Sequence, residues 1–64
     1  MVKINGKSLD VAGKTLSEFL ATTSYNPQII AVELNEEIVS KAQFDTTIIK
    51  DDDVVEIVNF VGGG

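Results

Sequence analysis

"DVVEIVNFVGGG", residues 53–64, begins as a strand and finishes in a way that no packed element needs. From Val54 to Phe60 the side chains alternate, with Val55, Ile57 and Asn59 on one side and Val54, Glu56, Val58 and Phe60 on the other. Both faces are substantially apolar, and one helix can cover only one of them. Val55 and Ile57 are assigned to the covered side. Val58 and Phe60 then form an exposed apolar patch beside the glycines, a candidate for partner docking. Loops or Phe44 are the alternative cover. Glycine costs the most backbone entropy to order, so three in a row suit a segment that leaves the fold. The expected division is a domain over residues 1–60 and a flexible tail over residues 61–64.

At about 3.3 Å per residue, Val61, Gly62, Gly63 and Gly64 would reach on the order of 13 Å past the sheet. Glycines present no side chain to a narrow channel, so such a tail can enter a partner's active site while the domain stays outside. It would deliver the α-carboxylate of Gly64. A carboxylate becomes a useful electrophile only when one oxygen is made a good leaving group, and adenylation by ATP does this. The chain has neither the P-loop nor the Rossmann glycine pattern, so the activating enzyme must be a separate protein.

Composition narrows the classes. With 64 residues the chain makes one small domain, near the size at which only about 60% of the unfolded surface can be buried. It has no cysteine and no histidine, which excludes disulfides, thiolate chemistry and the usual zinc sites. No apolar run approaches a membrane span or a signal peptide, so a cytoplasmic location is expected. The net charge of −5 is uneven: residues 1–32 carry three lysines against two carboxylates, and residues 33–64 two lysines against eight. The acidic half disfavours nucleic acid and suits a basic protein surface. The run Asp51-Asp52-Asp53 lacks the alternating ligands, glycine and distant glutamate of a calcium loop and reads as a solvated turn. No metal and no catalytic residue is expected.

Upstream, Val2 and Ile4 alternate with Lys3, Asn5-Gly6 follows, and Leu9 and Val11 alternate with Asp10; Asn-Gly between such segments predicts a hairpin with a type I′ turn. Thr15 and Glu18 have capping-box spacing. Leu16, Phe19, Leu20 and Thr23 recur at helical spacing, which predicts about two turns of amphipathic helix ending before Asn26-Pro27. "QIIAVELN" (28–35), "EIVS" (37–40) and "TTII" (46–49) read as further strands, with polar turns at "NEE" (35–37) and "KDDD" (50–53). The layout is α+β, one helix packed on one face of a mixed sheet of four to five strands.

"KINGK" (3–7), "TLSEFL" (15–20), "IAVELNEEIV" (30–39) and above all "VEIVNFVGGG" (55–64) together resemble the ThiS family of sulfur carrier proteins, which have the ubiquitin-like β-grasp fold. The resemblance spans essentially the whole chain. It implies a protein co-substrate of thiamine biosynthesis rather than an enzyme. An E1-like adenylating enzyme of the ThiF type would activate Gly64 with ATP, a persulfide donor would convert it to a thiocarboxylate, and thiazole synthase of the ThiG type would take the sulfur. No bound cofactor is implied. Two positions depart from the family pattern: Asp52 stands where many members have glycine, so a turn that differs or is mildly strained is expected there, and Ser40-Lys41 stands where Pro-Arg is common. Two alternatives share the fold. One is a carrier like the small subunit of molybdopterin synthase, and the other is a non-catalytic interaction module in which Val58 and Phe60 carry the function.

Overall fold

Asn5-Gly6 makes the turn its residue types predict. In the computed structural model, which describes residues 1–60, β1 (Val2–Ile4) pairs antiparallel with β2 (Lys7–Leu9), Ile4 opposite Lys7. Asn5 and Gly6 take φ of 49° and 86°, the two positive values that a type I′ turn requires. β2 stops at Leu9. Val11 packs on the core from the loop beyond it, so the strand is shorter than the alternation through Val11 predicts.

The helix α1 (Leu16–Leu20) starts on the expected capping box: Thr15 Oγ1 accepts from the Glu18 N–H and Glu18 Oε1 accepts from the Thr15 N–H. A cap of this kind contributes about 1 kcal/mol. The helix is five residues long rather than two full turns. Thr22 and Thr23 turn their hydroxyls onto the carbonyls of Phe19 and Leu20, both at 2.7 Å. These local bonds compete with further helical hydrogen bonding, and Thr23 falls outside the helix.

β3 (Ile30–Leu34), β4 (Glu37–Val39) and β5 (Val54–Asn59) complete a five-stranded mixed sheet in the order β2-β1-β5-β3-β4. Only β1 and β5 run parallel; the other pairs are antiparallel. Val2, Ile4, Ile30, Val32, Val55 and Ile57 from the sheet meet Leu16, Phe19 and Leu20 from α1, with Phe44 and Ile49 filling the same core. The helix therefore covers one face, as expected, and Phe44 lies on that covered side rather than over Val58 and Phe60.

"TTII" is the one predicted strand that does not form. Ile48 makes only an isolated bridge to Thr15. The backbone here serves the helix start instead: the carbonyl of Thr47, with that of Phe44 just upstream, accepts the N–H groups of Leu16 and Ser17 respectively, each at 3.0 Å. Those donors have no partner inside a helix, so the loop satisfies them and cannot also join a sheet edge. Ile49 is buried in the core and Ile48 is exposed.

The polar turns also carry positive backbone angles. Asn35 and Glu36 take φ of 50° and 71° between β3 and β4, and Asp52 takes φ of 70° ahead of β5. The expected strain at the position where glycine is common is thus present in the backbone.

Candidate functional site

β5 is the middle strand of the sheet and leads into Phe60. Its last described residue is tied down: the Phe60 N–H donates to the Ile29 carbonyl at 3.0 Å, continuing the β3 pairing by one step. Pro27–Ile29 and Lys41–Gln43 form two short 3-10 turns. Lys41 Nζ bonds the Gln28 carbonyl at 2.7 Å, linking these turns, and lies 5.5 Å from the centre of the Phe60 ring. The lysine at the departure from the family pattern is thus a cation over the aromatic ring that precedes the glycines.

Val58 and Phe60 lie on the open face, 59% and 58% exposed. The register adds neighbours that the sequence reading did not single out. Glu33 lies opposite both Glu56 and Ile38, and Ala31 lies opposite Val58. Ile38 is 67% exposed, and Val54 is exposed on the same face. Alternation in "EIVS" places Ile38 on a face, but only the pairing of β4 with β3 says which one. Val61, Gly62, Gly63 and Gly64 lie outside the described residues, so the tail and its carboxylate are not placed.

Two carboxylates of the acidic run have structural uses. Asp51 pairs with the N-terminal ammonium, which holds its carboxyl below the usual range and raises the amine above its own. Asp53 accepts from the Lys50 N–H at 2.8 Å and from Asn35 Nδ2 at 3.0 Å. Among the described residues no side chains converge into a metal-holding group, and no helix is long and apolar enough to cross a membrane. A shallow groove of about 600 Å³ lies on the other side of the sheet, between Leu9, Val11, Phe19 and Tyr25.

A five-stranded mixed sheet in this order, crossed by one helix and left open on the other face, is the ubiquitin-like β-grasp arrangement. The family model described as "ThiS family" matches residues 2–64. The chain belongs to the ThiS family. It is 41% identical over 68 residues to the sulfur carrier protein ThiS of Bacillus subtilis strain 168, covering 100% of both chains. A crystal structure of the thiamine biosynthesis protein ThiS from Geobacter metallireducens superposes with a TM-score of 0.79 at 36% identity, covering 98% of this chain and 97% of that one. A protein named thiazole synthase from Magnetococcus marinus is 34% identical over 64 residues, which cover 98% of this chain but only 20% of that protein. The chain therefore spans about a fifth of that longer relative.

Proposed function

We propose that this protein is the sulfur carrier that supplies thiazole formation in thiamine biosynthesis. The observation that carries the reading is its full-length similarity, through the terminal glycines, to a relative named as a sulfur carrier. The carboxylate of Gly64 attacks the α-phosphorus of ATP in a separate adenylating enzyme of the ThiF type, and pyrophosphate leaves. A persulfide sulfur then displaces AMP to give an acyl disulfide, and a thiol opens it to leave the thiocarboxylate and a disulfide. This chain has no cysteine, so both sulfur donor and thiol belong to partners, and the protein acts as co-substrate rather than enzyme. Chemistry that draws on ATP and persulfides suits a cytoplasmic setting.

Thiazole synthase of the ThiG type is the proposed recipient. In the Magnetococcus relative of that name, a segment similar to this chain is part of the same polypeptide, an arrangement that suits two units working on one reaction. Val58 and Phe60 dock the partner, while Val61, Gly62 and Gly63 cross to its active site. The test is the intact mass after incubation with ATP, a persulfide source and the activating enzyme. A shift equal to one oxygen replaced by sulfur, assigned to Gly64 by fragmentation and lost on deleting Gly64, is expected. An unmodified mass, with the enzyme active on another carrier, would overturn the reading.

A further inference from the structure

On the open face the sheet places two carboxylates directly opposite each other. Glu33 on β3 is the register partner of Glu56 on β5. Like charges in that relation destabilise a sheet, and an apolar pair there would be the more stable choice. Among the described residues neither carboxylate is in an ion pair; the one ion pair is that of the N-terminus with Asp51. The two acids lie among exposed apolar side chains, with Ile38 across from Glu33 on β4 and Val54 and Val58 flanking Glu56 along β5, and Lys3 of β1, opposite Val54, is the cation of the same face. The same face continues to Phe60, where the chain leads into residues 61–64.

We propose that this face receives an apolar surface of the adenylating enzyme carrying one arginine, whose guanidinium bridges Glu33 and Glu56 beside Ile38, Val54 and Val58. The inference rests on the carrier reading and names the chemistry that recognises the carrier. Three features select this occupant. The exposed apolar side chains favour a desolvated protein contact over a free ion. The paired carboxylates match the planar, weakly hydrated guanidinium, which donates to two acceptors at once, better than a lysine ammonium. A second copy of the chain would set the same two carboxylates against themselves, and an anionic membrane surface would be repelled. Continuity with Phe60 lets one partner hold the face and accept the tail together.

The experiment measures affinity for the activating enzyme, free-chain stability and thiocarboxylate yield for the full chain and for E33Q, E56Q and E33Q/E56Q. Each single change should weaken binding roughly tenfold and flatten its salt dependence, and the pair should cost less than the product of the singles because they share one cation. Meanwhile the double variant should unfold at a higher urea concentration than the wild type, since the repulsion is gone. Gain of stability with loss of affinity is the expected signature. Unchanged affinity in E33Q/E56Q, with wild-type protein still converted to thiocarboxylate, would overturn this inference alone. Self-association of the wild type that the double variant strengthens would assign the face to a second copy and overturn it too. Failure of the wild type to be modified at all would overturn the carrier reading and this inference with it.

Discussion

Asn5 pairs with both backbone groups of Ile57: its Oδ1 accepts the Ile57 N–H at 2.7 Å and its Nδ2 donates to the Ile57 carbonyl at 3.1 Å. β1 ends at Ile4, so the side-chain amide stands in for the next residue of that strand. Nδ2 also lies 3.1 Å from the Tyr25 hydroxyl. Asn35 does the corresponding work at the start of β5, on its other side. Its Oδ1 accepts the Val54 N–H at 2.9 Å and its own N–H donates to the Val54 carbonyl at 2.8 Å. Both asparagines occupy the first position of a hairpin turn, where φ is positive, so turn chemistry and strand anchoring are met by one residue type. β5 is thus held at Val54 on one side and at Ile57 on the other.

Asn5→Ala should therefore destabilise the protein by about 2 to 3 kcal/mol, combining the unpaired Ile57 N–H with a left-handed alanine. Asn5→Gly removes the same bonds but accepts the backbone angle, and should cost about 1 kcal/mol less. Urea titration of both variants separates the two contributions. Full stability in Asn5→Gly would show that the bonds to Ile57 contribute nothing.

Asp52 and Glu36 hold φ of 70° and 71° without being glycine. Asp52→Gly and Glu36→Gly should each raise stability by a few tenths to about 1 kcal/mol, the relief of the left-handed strain exceeding glycine's extra unfolded-state entropy. Thermal melts at fixed salt test this, and a lowered midpoint would mean that the turn tolerates the side chain without cost.

The N-terminal ammonium and Asp51 form an exposed ion pair that shifts both groups toward their charged forms. Because the Asp51 carboxyl is held below its ordinary 3.8, its contribution is present above that value and is lost as pH falls through the lower folded value. Because the amine is raised above 8.0, its contribution is complete below 8.0 and is lost as pH rises through the higher folded value. Acetylating the amine should thus lower stability slightly at neutral pH, with the difference vanishing in strong acid, in alkali and at high salt. Equal pH profiles for free and acetylated chains would count against any contribution from the pair.

Phe60→Ser and Val58→Ser change exposed side chains and should alter stability by less than about 0.5 kcal/mol. Both should weaken binding to the activating enzyme. Phe60→Ser should be the more severe, because it removes the larger apolar surface and a ring that also faces Lys41. Unfolding of either variant would place its side chain in the core instead.

Much of this architecture follows from short-range pattern. Asn5-Gly6, the Thr15 and Glu18 cap, and the alternation of Val54 to Phe60 each state their local geometry, because a positive φ, an unpaired helix donor and a pleat are satisfied by residues close in the chain. Where one local signal had two meanings, the reading failed. "TTII" is a run of β-branched residues like a strand, yet it makes only the bridge of Ile48 to Thr15, and the Thr47 carbonyl is taken by the Leu16 N–H at the start of α1. The helix pattern through Thr23 is likewise cut short by hydroxyls that bond backward.

The candidate site divides along the same line. The terminal glycines, the exposed side of β5 and the acidic second half are all readable in residue order. That Glu33 opposes Glu56, that Ile38 joins Val54 and Val58 on one face, and that Asn5 reaches Ile57 are not. These relations depend on which strands become neighbours and in what register, and the partners lie up to 52 positions apart. Strand pairing is settled by burying one continuous apolar face under α1, and that common burial, which no single segment encodes, puts the two carboxylates side by side on the face left open.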